Sequence, residues 1–305
     1  MPGSEKKVIG RIRRMAGTGP SVVTGIGDDA AVLRVPRGHE MLVTTDFSIE
    51  NVHFRREWHS PEVVGWRCLT RGLSDIAAMG GEPRAAFLSL AVAGDVPQKW
   101  VDGFLKGLLS LGKKWGVPLA GGDLAQAESG IQADIVVVGS VPRGRAVLRS
   151  GARAGQHIYV TGELGGSAAG LARLRAGLAV QKDSVHFRPQ ARVAVGRWLR
   201  SHGMASAMID VSDGLSTDLE HICAESGVEA EVDAGAIPRA VALKFALHGG
   251  DDYELLFTSS RKVPAVVEGV RVTRIGRVVA GRGMKLVEDG KKRRLAVKGW
   301  EHFRG

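Results

Sequence analysis

Cysteine is nearly absent: the 305 residues hold two, Cys68 and Cys223. They lie far apart, each within a helical pattern. That spacing makes neither a disulfide framework nor a zinc site, and implies reduced thiols in a cytoplasmic protein. Aromatic residues make up 5% of the chain, too few for a platform on which nucleic-acid bases stack. No apolar run is long enough to span a bilayer, and the opening MPGSEKKVIG lacks the apolar stretch of a signal peptide. Acids are in deficit too, 32 Asp and Glu against 42 Lys and Arg, for a formal net charge of +10. The bases are scattered except for Lys291, Lys292, Arg293 and Arg294. Such a surplus suits solubility, attraction of small anionic substrates, or a nucleic-acid partner, of which the last is disfavoured by the missing aromatics.

What is present is enough chain for two domains, with 44% apolar residues to fill their cores. Residues 5–16 read as an amphipathic helix with Val8, Ile9, Ile12 and Met15 on one side. Residues 31–35 and 41–46 read as strands. Ser60 caps and Pro61 opens a helix through Val63, Val64, Trp66, Cys68 and Leu69. AAFLSLAV is a strand, Pro97 opens a helix to about Trp115, and PLAGGD and ADIVVVGSV are strands again. The Gly- and Arg-rich PRGRAVLRSGARAG marks a boundary, so domains over residues 1–142 and 150–305 are expected. Beyond it come the strand HIYVTG, a helix opened by Gly165, a helix from Pro189 to about Ser201, the strand AMIDVS and a capped helix in SDGLSTDLEHICAES. The strand VEAEVD, a helix near residues 240–247, the strand DDYELLFT and a hairpin turning at Asp289-Gly290 complete the chain. Strands mixed with helices in this way indicate an α/β, or α+β, architecture. LSDIAAMG and VSDGLSTDL, with GGDL and GGDDYEL, form a weak internal echo.

Gly107 to Lys114, GLLSLGKK, nearly matches a phosphate-binding loop. Lys114 stands where that loop needs a hydroxyl, and the segment lies inside a helical pattern, which excludes it. What recurs instead is aspartate at expected strand ends and helix starts: Asp28 and Asp29 in GIGDDAAVL, Asp46, Asp75, Asp123, Asp210, Asp213, Asp251 and Asp252. Taken singly, each has a structural reading, since Ser74, Ser212 and Asp213 suit helix caps and Gly-Asp pairs suit turns. Taken together, carboxylates converging at the ends of strands repel unless cations lie among them. Hard oxygen donors beside threonines and glycines suit magnesium, and magnesium with substrate phosphates suits an ATP enzyme. On this reading Asp29 is a metal ligand and Asp28 supports it.

GIGDDAAVL, VTTDFSIENVHF, LSDIAAMGG, GGDL, VTGELGGSAAGL, IDVSDGLSTDL and HGGDDYELLF occur here in order. Together they closely resemble the thiamine-monophosphate kinases, which share the two-domain fold of aminoimidazole ribonucleotide synthetase. The resemblance runs from Gly25 to the terminal KGWEHF. It implies an N-terminal domain that binds ATP and magnesium and forms the interface of a homodimer, followed by a C-terminal α/β domain. It implies transfer from ATP to thiamine monophosphate, giving thiamine diphosphate, with no protein nucleophile or general base. Asp29, Thr44, Thr45, Asp46, Asp75, Asp123 and Asp210 match that family's magnesium ligands, with Asp213 an outer one. Gly122, Asp123, Arg149 and Ser212 match positions near ATP, and His53, Asp251 and Trp300 match positions that meet the thiamine substrate. Two departures stand out: Leu124 where the family commonly has Thr, and Asp251 where it often has Glu. Read without the resemblance, His53 is a surface histidine, Arg149 a loop charge and Trp300 a packing residue. The rival functions are another ATP-dependent enzyme of the same superfamily and a basic nucleic-acid-binding protein; small-molecule partners, with no nucleic acid and no membrane, are expected.

Overall fold

The computed structural model describes residues 5–17, 19–26 and 30–302. Two compact units form along the chain. One takes the residues up to Ile76 together with Glu82–Gly144, and the other takes Ala77–Gly81 and the chain from Arg145 onward.

The first unit contains α1 (Glu5–Ala16), a short antiparallel pair β1 (Val22–Thr24) and β2 (Val32–Leu33), β3 (His39–Ile49), α2 (Pro61–Ala78), β4 (Glu82–Ala93), α3 (Gln98–Trp115), β5 (Leu119–Ala127) and β6 (Ile131–Pro142). Its sheet runs β3-β6-β4-β5. β4 and β5 are parallel, as their α3 crossover requires, and the other pairs are antiparallel. Pro61 suits the first position of α2, where its missing N–H costs nothing, and Ser60 Oγ accepts from Val63 N–H at 3.4 Å. The helix buries Leu69, Leu73 and Ile76, with its Gly72 against Val137 and its Ile76 against Gly139 of β6, and α3 buries Phe104, Leu105, Leu108 and Leu111. Each such side chain contributes about 1.5–3 kcal/mol on burial.

The segment resembling a phosphate-binding loop is indeed helical, within α3. Its Gly107 serves packing: a Cβ there would lie 2.0 Å from the Glu62 carbonyl oxygen of α2, and one on Gly65 would lie 1.9 Å from that of Phe104. The two helices touch backbone to backbone. On the sheet's other face, β3 leaves Met41, Val43 and Phe47 exposed at 56%, 60% and 56%, an apolar stripe along an edge strand.

The second unit contains β7 (His157–Thr161), α4 (Gly166–Arg175), α5 (Val193–Ser201), β8 (Ala207–Val211), α6 (Leu215–Ser226), β9 (Glu229–Asp233), α7 (Leu243–His248), β10 (Glu254–Ser259), β11 (Val266–Val267), β12 (Val270–Val279), β13 (Gly283–Glu288) and β14 (Lys291–Arg294). Its sheet runs β14-β13-β9-β12-β7-β10-β8, with β11 paired to β12. One face packs Ile158, Val160, Ile209, Val211, Leu256 and Ile275 against Leu215, Leu219 and Ile222 of α6 and Ala246 and Leu247 of α7. Residues 77–81 join this unit through hydrogen bonds from Val147 N–H to the Met79 carbonyl (3.1 Å) and from Arg200 Nε to the Gly80 carbonyl (2.6 Å).

Local expectations differ in three places. Ser74 and Asp75 lie in the last turn of α2 rather than opening a helix, and Ser74 is fully buried. Ser212 and Asp213 do not cap α6. Its cap position is Gly214, with no side-chain cap, and Asp218 in the first turn reaches back to the N–H groups of Asp213 (3.2 Å) and Gly214 (3.0 Å). LSDIAAMG therefore ends a helix while VSDGLSTDL begins one, so the apparent echo has no structural counterpart.

Candidate functional site

Alternation along β3 sorts its three candidate residues onto two faces. Thr44 and Asp46 point toward α2, and Thr45 points to the open side of the sheet. Thr44 Oγ1 donates to Asp75 Oδ2 of α2, which brings one expected ligand from the strand against one from the helix. Asp46 is half-buried on the same side. Beneath them Cys68 is fully buried; burial pushes its thiol up to about 12, a Ser48 hydrogen bond pulls it down, and the charges of Asp46 and Asp134 add to the rise. Cys68 is an inert core thiol.

Thr45 donates to Asp134 Oδ1 of β6 at 2.6 Å. Asp134 was not singled out in the sequence, where it reads as an ordinary polar position in ADIVVVGSV. Strand register exposes its place: Phe47, Asp134, Ser89 and Asp123 form one lateral row across the four strands. Asp123 is exposed on β5 and its Oδ1 accepts from Leu124 N–H at 2.9 Å. Gly122 beside it has φ 146°, and a Cβ there would fall 1.9 Å from the Leu88 carbonyl oxygen, so only glycine lets β5 lie this close to β4. Gly121, Gly122 and Asp123 border a cavity of about 540 Å³ lined also by Ile9, Ile12 and Phe87. That volume lies in the usual range for small-molecule sites. His53 lies in the turn after β3, where Ile49 N–H donates to its Nδ1 at 3.0 Å. In the neutral ring this leaves the proton on Nε2. Asp29 lies outside the described residues.

In the second unit the candidates gather at the end of β8. Asp210 is buried in the strand, opposite Leu255 of β10. Ser212 and Asp213 follow, then the first turn of α6. Asp218, also buried, has its pKa raised well above the usual carboxylate range, first by burial and then by the charges of Asp210 and Asp213, although two backbone N–H groups oppose the shift. Asp251 stands with φ 64° and Tyr253 with φ 54°, left-handed conformations that non-glycine residues seldom hold. Backbone hydrogen bonds fix them: Asp251 N–H to the Ser212 carbonyl at 2.8 Å and Tyr253 N–H to the Val211 carbonyl at 2.9 Å. The Tyr253 hydroxyl donates to Asp251 Oδ1 at 2.7 Å.

Trp300 is joined to the same loop, its N–H donating to the Asp213 carbonyl at 3.0 Å, while its indole stays 48% exposed. The ring meets His302 edge to face at a centroid distance of 5.6 Å. Arg149 is exposed and sits elsewhere: its neighbour Leu148 accepts from Met208 N–H near the start of β8, whereas Ser212 follows the strand's end. The structure thus unites Thr44 with Asp75, Thr45 with Asp134, and Ser212, Asp213, Asp251 and Trp300 around one loop. It sets Arg149 apart from that group. Among the described residues no three His, Cys, Asp or Glu side chains converge on a single metal position.

Comparison with known proteins places these features in company. The AIR synthase related protein family matches in both parts, its N-terminal domain over residues 27–141 and its C-terminal domain over residues 153–289. A thiamine-monophosphate kinase of Salmonella typhimurium is 38% identical over 307 residues, 92% of each chain. The crystal structure of a thiamine-monophosphate kinase from Stenotrophomonas maltophilia superposes with a TM-score of 0.84 at 33% identity, covering 96% of this chain and 99% of that one. A further solved relative, AaThiL complexed with AMPPCP and TMP, gives a TM-score of 0.78 at 31% identity, covering 98% and 97%.

Proposed function

The chain belongs to the thiamine-monophosphate kinase family, among the AIR synthase related proteins, and from that premise we propose that it phosphorylates thiamine monophosphate to thiamine diphosphate with ATP. The observation that carries the reading is the likeness, over nearly the whole chain, to a relative complexed with AMPPCP, an ATP analogue, and TMP. A substrate phosphate is itself a nucleophile, so the reaction is read as direct in-line transfer with no covalent enzyme intermediate. Two anions must then meet, and the protein's work is positioning and charge neutralisation.

The donor set fits magnesium. Thr44 with Asp75, Asp46 beside them, and Asp210 with Asp213 near the crowded Asp218 are hard oxygens in small groups rather than closed cages. Magnesium is commonly held this way, by one or two carboxylates plus substrate phosphates and water. Asp29, Thr45 and Asp123 complete the proposed ligands. Bound magnesium would neutralise the phosphate charge. Gly122 and Asp123 would border the nucleotide at the first unit's cavity; of the positions proposed for ATP in the second unit, Ser212 stands in the loop after β8 and Arg149 lies apart from it. His53 would offer Nε2–H to the acceptor, Asp251 a carboxylate held by Tyr253, and Trp300 an indole face for the cationic thiazolium. The exposed stripe of Met41, Val43 and Phe47 supports pairing of two copies through their first units. No described helix is long and apolar enough to cross a membrane, and a cytoplasmic site of action is proposed.

The test is incubation of the full chain with thiamine monophosphate and Mg-ATP, followed by mass spectrometry. Gain of one phosphoryl group on thiamine monophosphate is expected. ATP consumption with no such product, or transfer to another acceptor alone, would replace this reading with that of a different ATP-dependent enzyme of the superfamily.

A further inference from the structure

Two consecutive backbone carbonyls carry more than their share. Ser212 O accepts from Asp251 N–H at 2.8 Å, and Asp213 O accepts from Trp300 N–H at 3.0 Å. The two residues proposed to meet the acceptor are therefore fastened to the two residues proposed to meet the nucleotide and its metal. Asp218 holds the loop from the other side through the N–H groups of Asp213 and Gly214.

The tail has further fastenings. Gly299 N–H donates to Thr217 Oγ1 at 3.1 Å, and Lys298 N–H lies 3.4 Å from Ser216 Oγ, which also pairs with His248 Nδ1 at 2.8 Å. The fit at Gly299 is tight: a Cβ there would lie 2.1 Å from the Asp213 carbonyl oxygen and 2.3 Å from Thr217 Oγ1. Yet the Trp300 indole is half exposed. The tail is held by its backbone so that its ring is presented outward, an arrangement a packing anchor would not need.

We infer that Thr217 is a positioning residue for the acceptor: its hydroxyl seats Gly299, fixes Trp300 on the Asp213 carbonyl, and so couples acceptor binding to the nucleotide-bearing loop. The inference rests on the proposed kinase reading, in which Trp300 meets thiamine monophosphate and Ser212 and Asp213 serve the nucleotide. Coupling of this kind is reciprocal, so each ligand should tighten the other to the same degree.

The test compares wild type, Thr217→Val, Thr217→Ser and Trp300→Ala as full-length chains. Thr217→Val keeps the shape and deletes the hydroxyl. Loss of one ordinary hydrogen bond should raise the KM for thiamine monophosphate about 2- to 10-fold, with kcat, the melting temperature and the affinity for Mg-AMPPCP in the absence of thiamine monophosphate nearly unchanged. Thr217→Ser should restore the KM. Calorimetric titration of thiamine monophosphate should show tighter binding when Mg-AMPPCP is present, with that enhancement reduced in Thr217→Val. If Trp300→Ala raises the KM and Thr217→Val does not, the clamp fails while the role of Trp300 stands. Should Trp300→Ala leave the KM unchanged, the acceptor role of Trp300 fails, and the inference with it. A fall of several degrees in melting temperature, with Mg-AMPPCP binding weakened in the absence of thiamine monophosphate, would make Thr217 a stability residue and overturn the inference.

Discussion

Asp252 turns its carboxylate inward, where the N–H groups of Gly165 (2.5 Å) and Ser167 (3.1 Å) hold it at the start of α4, and burial pushes its pKa up to about 7 from an ordinary 3.8. Asp251, its neighbour, stays half-buried beside the loop. Of this doublet Asp252 is thus a structural support. Because the folded pKa of Asp252 is raised, the folded state holds the proton more tightly than the unfolded chain does. Its contribution to stability is then full below about 3.8 and is lost as pH rises through about 7. Melting temperature against pH should carry a downward component across that window, and Asp252→Asn should flatten it. An identical profile in the variant would show that the carboxyl does not titrate there. At the proposed metal ligands, Asp46→Asn or Asp75→Asn should lower kcat by orders of magnitude while the fold persists, and removing a repelling charge should leave the metal-free melting temperature level or higher. Near wild-type kcat at saturating magnesium would remove that residue from the ligand set. The aspartates were legible because their motifs run in a fixed order. Asp134 was not, because its place lies in register: nothing in ADIVVVGSV tells that Asp123 shares its row or that the Thr45 hydroxyl reaches it.

At the scale of elements, α2 and α3 were readable from their apolar spacing and from the prolines at their starts, and the Asp289-Gly290 hairpin from its turn. Both turn residues take positive φ, 49° and 75°, as a two-residue turn of this type requires. The strand β12 was not readable. Its buried Val272, Ile275 and Val278 recur at every third residue, a helix-like interval, and the pairing register shifts between Arg274 and Gly276. Backbone contact between helices was equally hidden, since a glycine in a helical pattern advertises weakness rather than proximity. Gly107→Ala tests that contact. The added methyl group has no room against Glu62, so overpacking should cost about 1–3 kcal/mol, read as a lower melting temperature by calorimetry with the KM for thiamine monophosphate unchanged. A melting temperature equal to wild type would mean that the helices separate at little cost.

For the whole molecule, the mixed α/β architecture followed from the alternation of strands and helices, whereas the ownership of particular segments did not. Nothing in the sequence hints that Ala77–Gly81 belongs with residues beyond 145, because that membership is fixed by contacts distant in the chain. If the exposed stripe on β3 pairs two copies, Val43→Asp with Phe47→Asp should turn a dimer into a monomer in light scattering after size exclusion. A wild-type monomer would dispose of the pairing. Direct transfer further requires both substrates together: no phosphorylated enzyme should form with ATP alone, and parallel ping-pong lines would contradict it.

The placement of residues 77–81 bears on how the protein can be made and divided. Those five residues leave the ribosome well before the strands and helix they join, so the second unit cannot complete itself until synthesis is far advanced. A gene fragment starting at residue 145 encodes the rest of that unit but leaves Arg200 Nε and Val147 N–H without their acceptors on Gly80 and Met79. It also opens a gap beside Gly196, where the Ala77 carbonyl oxygen now comes within 2.1 Å of a Cβ position. Expression of the two halves as separate contiguous pieces therefore divides a folding unit, and a faithful dissection has to carry the ribbon across.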